Sequence, residues 1–340
     1  MRTRFLGLIF IFLLVFVSES CKKNHYRVNT SAIEVKLEVK RLEKDLFTMN
    51  PDQIIPSIPL LKSKYNGFLQ LFSMVINTGD INEDSFGDFL LRFCSDKQNN
   101  EVYNLTAKKF PDIKPVEDGL RDAFRHYLYY FPGRKVPGVF TCITGFNNSI
   151  ITGDSVLGIG LDRYLGADCP YYPRLNIYKY LRERMTPENI IPDCLYAWGV
   201  SEWDFASLRY PADNVLSEII HDGKLKYFEK CMLPETSDEL IFGFTTDQIK
   251  FCRSSEGQMW QYLIENNLLF STDQFVVRKL TGEAPFTAFF TKDSPGRAAI
   301  WIGFKIVEAY MTKNPEVNME EMINNTDVQS ILEKAKYSPR

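Results

Sequence analysis

Along this chain the spacing of apolar residues passes from a solid block to alternation and then to a helical period. Phe5 to Val17 is an almost unbroken apolar run. Ile33, Val35, Leu37 and Val39 alternate with Glu34, Lys36, Glu38 and Lys40, the period of two that marks a half-exposed strand. Residues 51–130 read as helices, punctuated at Asn50-Pro51, Thr78-Gly79-Asp80 and Phe110-Pro111, and Pro132-Gly133 ends that run. Gly138 to Thr144 is apolar and β-branched, which predicts a buried strand. Asn147-Asn148 predicts a turn before Ser149-Ile150-Ile151, and Val156 to Leu161 predicts one more short strand. The remainder is mostly helical, entered at Tyr210-Pro211. The pattern therefore predicts an α+β fold, mostly helical with a small mixed sheet. No repeat period or low-complexity tract is present.

Three of the later helices matter most. From Asp213 to Cys231, the residues Leu216, Ile219, Ile220, Gly223, Tyr227 and Cys231 fall on one face. Thr245-Thr246-Asp247-Gln248 has the spacing of a capping box and opens a helix expected to carry Cys252, Glu256, Trp260 and Leu263. Ser294-Pro295 is expected to start the third helix, through Trp301, Phe304, Ile306 and Tyr310, with Gly296, Ala298, Ala299 and Gly303 allowing close packing. Glycine inside a helix costs about 1 kcal/mol relative to alanine, so Gly257 implies a close approach there, toward the helix of residues 217–221.

The apolar block at the start changes the picture of location. A basic Met1-Arg2-Thr3-Arg4 precedes it and Ser18-Glu19-Ser20-Cys21 follows it, which reads as a bacterial lipoprotein signal. The block is short for a permanent span, which needs about 20 residues. Cleavage before Cys21 leaves a thiol that carries lipid, so the protein is expected to be tethered to a membrane rather than integral. The expected organisation is a signal peptide at 1–20, a lipidated polar tether at 21–31 and one globular domain at 32–340.

Composition narrows the function classes. The formal charge is -3, and removing a leader that carries Arg2, Arg4 and Glu19 leaves -4, so no basic excess points to nucleic acid. Aromatic residues make up 14%, with 26 Phe and 17 Tyr, which excludes a disordered chain. Cys94, Cys142, Cys169, Cys194, Cys231 and Cys252 are widely spaced with no CxxC, so a zinc knuckle is not expected. A chain this long builds a core without staples, which favours buried free thiols.

One motif is close to a catalytic one. Ser217-Glu218-Ile219-Ile220-His221 lies in the helix of residues 213–231. An HExxH helix sets two imidazoles one turn apart, so that both reach one zinc, and its glutamate is the general base. Here serine holds the first ligand position. Glu256 lies 35 residues beyond His221, on a following helix, where a glutamate ligand is placed in peptidases of that kind. Two ligands of three are then present, and a serine hydroxyl is a poor substitute for imidazole at neutral pH. His25 falls in the tether, and His126 sits on a distant helix among Tyr127, Tyr129 and Tyr130. Ser217, His221, Lys224 and Phe228 share one flank, so a polar cluster left from an ancestral active site is one reading and ordinary packing the other. A Ser-His nucleophile lacks a visible orienting acid and oxyanion hole.

The chain resembles GldB, the gliding-motility-associated lipoprotein family of Bacteroidetes. The likeness rests on an ordered set over about residues 30–313. Gly158-Ile159-Gly160-Leu161-Asp162-Arg163-Tyr164-Leu165-Gly166 comes first, then Arg184-Met185-Thr186-Pro187-Glu188. Ile219-Ile220, Gly223-Lys224 and Tyr227-Phe228 follow, with Glu256-Gly257-Gln258, Trp260 and residues 268–273 after them. Glu283-Ala284-Pro285-Phe286-Thr287 and Ser294-Pro295-Gly296-Arg297 complete the set. The resemblance implies an envelope lipoprotein associated with motility machinery and similar to HExxH zinc peptidases with the motif degenerate, hence a zincin-like fold. It carries over no catalytic residues. Lys22-Lys23 differ from the acid-rich tract of surface-exported lipoproteins, which implies a periplasm-facing anchor, with the outer membrane favoured.

The expectation is thus a non-enzymatic pseudo-peptidase scaffold or binding protein without a cofactor. Its partners are the membrane, through lipid on Cys21, and envelope or motility-machinery proteins. The candidate pocket is Ser217, His221, Lys224, Glu256, Trp260 and Arg297. The alternative is a divergent zinc metallopeptidase with Glu218 as general base and His221 and Glu256 as ligands. Val156 to Leu161 is the candidate sheet edge for an added strand, and Pro295-Gly296-Arg297 the candidate anion contact. Replacing Cys21 by alanine is expected to move the protein from the membrane fraction to the soluble fraction; retention on membranes would show that this thiol is not the anchor.

Overall fold

The computed structural model describes residues 24–339, so Cys21 and the leader lie outside the described residues. Four strands form one mixed sheet: β1 (Val39–Arg41), β2 (Gly138–Cys142), β3 (Ile150–Gly153) and β4 (Val156–Gly160), in the order β1-β2-β4-β3. β1 with β2 and β2 with β4 are parallel, while β3 and β4 form a hairpin around Asp154-Ser155. The alternation from Ile33 to Val39 is real in burial, with Val35, Leu37 and Val39 inside, yet only Val39–Arg41 joins the ladder. Helix side chains take over before that: Arg121 donates to the Leu37 carbonyl and Glu117 accepts from the Val39 N–H, both at 3.1 Å. β4 is an inner strand and is buried throughout. Both of its edges are paired, so it cannot accept a partner strand; the open edges are β1 and β3.

The sheet lies between two helical layers. On one face, Phe140, Cys142, Ile151 and Val156 pack against α1 (Leu42–Thr48), α2 (Ile58–Val75) and α3 (Phe86–Ser95). The next helices are α4 (Lys97–Lys109) and α5 (Lys114–Tyr130). On the other face, Val139, Leu157 and Ile159 join the main core. That core is built by α5, α6 (Ile190–Glu202), α7 (Val215–Met232) and a C-terminal set. The set comprises α8 (Thr246–Ser254), α9 (Glu256–Glu265), α10 (Gln274–Thr281), α11 (Ala298–Lys313), α12 (Met319–Asn324) and α13 (Val328–Ala335). The six cysteines from Cys94 to Cys252 are buried free thiols.

Three element boundaries differ from expectation. The capping box at Thr245 and Gln248 forms, but the helix stops at Ser254, and Ser255 leaves the helical range before α9 restarts at Glu256. Gly257 therefore sits in a first turn, where glycine costs little. The helix expected from Ser294 begins at Ala298, because Arg297 is left-handed at φ 61°. Thr287 caps it instead, its hydroxyl accepting from the Ala298 N–H at 2.9 Å. The segment expected as a tether is, from Asn24 on, laid against the body. Tyr26 is 6% exposed, packs edge-on against Tyr227 and donates to Glu308, while Asn24 donates to the Pro234 carbonyl at 2.8 Å. One aromatic residue in a polar run is enough to seat that segment.

The two longest-buried helices, α7 and α11, touch backbone to backbone. A Cβ on Gly223 would lie 2.3 Å from the Gly303 carbonyl carbon, and one on Gly303 would lie 1.6 Å from the Ile219 oxygen. Neither neighbour is a side chain that can swing away. Gly303→Ala is expected to destabilise the protein by about 3 kcal/mol or more, since the helices must separate to admit a methyl. Gly67→Ala, with nothing within 4 Å of the new Cβ, is expected to be neutral or slightly stabilising. Urea unfolding of the two variants checks both signs.

Candidate functional site

Helix α7 organises every candidate group. Asn214 caps it, accepting from the Ser217 N–H at 3.0 Å. Ser217 is fully buried and its Oγ makes no hydrogen bond among the described residues. One turn on, His221 Nδ1 lies 3.2 Å from the Tyr210 hydroxyl, with the Phe205 and Tyr210 rings edge-on to the imidazole. Lys224 donates to the same hydroxyl at 3.1 Å and to the carbonyls of Ile323 and Asn325, at the C-terminal end of α12. The Tyr210 hydroxyl accepts from Lys224 and so donates to an unprotonated Nδ1. Burial pushes His221 down to about 4 and Lys224 down to about 7. Lys224 thus closes a helix end, where a cation complements the dipole. Ser217, His221 and Lys224 come together, but as a packed, internally bonded set.

Glu256 and Trp260 have different partners. Glu256 accepts from Trp301 Nε1 at 3.0 Å with one oxygen and from the Tyr337 hydroxyl at 2.9 Å with the other. Trp260 packs edge-on against Tyr337, with ring centroids 5.2 Å apart. This pair pins the C-terminal segment to α11 rather than facing the helix of residues 217–221. Glu218 is half-buried, and burial with the nearby Asp222 and Asp213 pushes it up to about 7. That value suits a general base. His126 bonds the Asp122 carbonyl of its own helix at 2.9 Å.

The expected zinc donors carry other bonds. His221 Nδ1 and both Glu256 oxygens are engaged elsewhere, and among the described residues no three His, Cys, Asp or Glu side chains gather as a metal-holding group. No step through a metal follows from these side chains.

Arg297 leads to a different place. About a third of a turn around α7 from His221 runs a charged stripe, Glu218, Asp222, Lys226 and Glu229. Lys226 and Glu229 are buried, 2.7 Å apart, and Lys226 also donates to the Ile241 carbonyl at 2.6 Å and stands over the Tyr196 ring. Tyr196 donates to Asp222 at 3.4 Å. Burial raises Asp222 to about 6 and Glu229 to about 7, although Arg297 and Lys226 draw Asp222 back, and Glu229 Oε1 is left without a hydrogen bond among the described residues. Asp193, from α6, accepts from Tyr164 at 2.9 Å and meets Arg184 at 3.5 Å. Above this cluster, Glu283 Oε1 lies 3.2 Å from Arg184 Nη1 and 3.3 Å from Arg297 Nε. The two guanidiniums, with Tyr180, Glu188, Phe244 and Pro285, line a cavity of about 330 Å3.

Arg184, Glu283 and the stripe of Asp222, Lys226 and Glu229 were not among the candidates read from sequence. The stripe has the spacing of a solvated helix face, and spacing cannot reveal that a second layer covers it. Arg184 and Glu283 do lie in the family-like stretches, which was the available signal.

A basic group with a lowered folded-state value costs stability once the unfolded chain takes up its proton. His221 is neutral in both states above about 6.5. Between 6.5 and about 4 the unfolded state binds the proton first, so stability falls as pH falls. Urea unfolding at pH 7 and 4.5 is expected to show that His221→Gln removes about 2 kcal/mol of the loss seen in the wild type. An unchanged difference would mean the imidazole is hydrated in the folded chain.

The family model described as "Gliding motility protein GldB" matches residues 23–339. No curated protein and no solved structure matches the chain. The matched span covers almost the whole chain, including α7, both arginines and Glu283, and on that ground the chain belongs to the GldB family of gliding motility proteins.

Proposed function

We propose that this protein is a non-enzymatic binding or scaffold protein of the cell envelope, held to a bacterial membrane by lipid on Cys21 and facing the periplasm. The observation that carries the reading is that His221 and Glu256, the two remaining ligand candidates, are each bonded to other side chains. Serine stands first in Ser217-Glu218-Ile219-Ile220-His221, Tyr210 takes His221, and Trp301 with Tyr337 takes Glu256. A helix that keeps the peptidase spacing while its polar groups tie other elements together supports descent from a zincin-like enzyme that lost its metal. Family membership supports an association with gliding machinery, and Lys22-Lys23 support a place on the periplasmic side of the outer membrane.

Anchoring fits the fold. No helix among the described residues is long and apolar enough to cross a membrane. Because Asn24 is already fastened to Pro234, an anchor at Cys21 leaves about three residues of slack, roughly 10 Å of reach. The body would then sit on the membrane surface with a fixed orientation, as suits a scaffold.

Metal content separates this reading from a divergent metallopeptidase. Full-length protein, solubilised in detergent after zinc-supplemented expression, is expected to hold zinc well below one ion per chain and to leave casein peptides intact, with Glu218→Gln indistinguishable from wild type. Stoichiometric zinc that disappears in His221→Ala, together with peptide cleavage that stops in Glu218→Gln, would overturn it.

A further inference from the structure

We propose that the cavity between residues 295–297, just before α11, and the single-turn helix Asp238–Phe242 recognises the carboxylate of a peptide ligand, seating it between Arg184 and Arg297 in the place that Glu283 now fills. The proposal deepens the reading of the chain as a binding protein by naming what it binds.

Two guanidiniums brought together repel unless an anion lies between them. Here one oxygen of Glu283 lies at 3.2 and 3.3 Å from the two arginines, while Asp193 meets Arg184 from behind at 3.5 Å. The Glu283 side chain is 48% exposed, whereas that of Arg297 is 11% exposed. The receptor half of this contact is thus built in, and the carboxylate half is a solvated side chain on a loop. Planar, bidentate donors of this kind suit carboxylates.

The arginines are held in place by their surroundings. Arg297 adopts a left-handed backbone at φ 61°, a conformation that a non-glycine residue keeps only where its surroundings impose it. It donates to the Phe242 carbonyl at 3.3 Å and stands over the Phe244 ring. Gly243 is left-handed too, and a Cβ there would meet Arg184 Nε at 2.2 Å, so the chain passes directly over the guanidinium. Arg184 Nε is buried beneath this turn and makes no hydrogen bond among the described residues. Asp193 behind Arg184 fixes its angle from below.

The rim selects among anions. Glu188 and Glu239 also line the cavity, and they disfavour a dianion such as phosphate. They favour a ligand whose carboxylate is accompanied by N–H donors, which is the composition of a peptide. A volume of about 330 Å3 takes a short stretch of chain. Glu283, Ala284 and Pro285 also wall an adjoining depression of about 500 Å3 with Phe275, Arg278 and Lys279, so a longer ligand can continue past the arginine pair.

Two sources can supply the carboxylate, a free peptide C-terminus or an Asp or Glu side chain. Calorimetry with the full-length protein distinguishes them, using N-acetyl-Ala-Ala acid, its C-terminal amide, and N-acetyl-Ala-Glu-Ala amide. Binding of the acid and not the amide supports the C-terminus; binding of the Glu peptide and not the plain amide supports a side chain. In either case Glu283→Ala, which removes the internal competitor from an exposed position, is expected to tighten binding about tenfold, and Arg297→Gln to weaken it at least tenfold. Glu283→Ala keeps the test valid if Arg297→Gln does not fold. Binding of neither the acid nor the Glu peptide more tightly than the plain amide, in wild type and Glu283→Ala alike, would overturn the proposal. Zinc-dependent cleavage of these peptides would instead sink the binding-protein reading, and the acid-to-amide ratio would still judge the carboxylate contact.

Discussion

The contact on which the molecule turns is the crossing of α7 and α11 at Gly223 and Gly303. With no side chain between them, the two backbones meet directly, and the Ile219 carbonyl lies where a Cβ on Gly303 would be. That contact places the groups carried by both helices. α11 brings Trp301 to Glu256 and follows directly on Arg297; α7 brings His221 and Lys224 to one side and the stripe of Asp222, Lys226 and Glu229 to the other. A wider crossing would leave both sets of polar groups open to water. At the observed distance both are drawn inside, and burial sets their chemistry.

That burial explains why one helix carries two unlike polar clusters. Around His221, the groups are bases whose charge is disfavoured, and they spend their hydrogen bonds on Tyr210 and on the end of α12. Around Asp222 and Glu229, the groups are acids whose charge is also disfavoured, but two guanidiniums and Lys226 lie close by. Beside the second cluster, Arg184 and Arg297 line a cavity. The polar flank of Ser217, His221 and Lys224 is internal structure, and the arginines lie on the other side, at that cavity.

Several features were legible from residues alone because local chemistry decides them. Short apolar runs located β2 and β4, helical spacing located α7, the S/T-x-x-Q spacing located the capping box at Thr245, and the absence of CxxC spacing matched six buried free thiols. The family likeness was legible because its stretches recur in order. Misplaced boundaries share one cause, competition from a partner distant in sequence. Arg121 and Glu117 satisfied the backbone of residues 37–39, Thr287 capped α11, and Tyr26 seated on Tyr227. Val156 to Leu161 read as an edge because a strand's neighbours on either side are not encoded in its own spacing.

What the sequence by itself determined is the class of element at each place, the near-peptidase spacing at Ser217 to His221, and membership in a family. All of these depend on residues a few positions apart or on ordered likeness. Only the tertiary structure decided which polar residues share a site. It parted Glu256 from His221 and joined Arg184, Glu283 and Arg297, which are far apart in the chain. The reason is physical: whether a charged helix face meets water or a second layer is set by how closely two helices pack, and that depends on residues each helix cannot see.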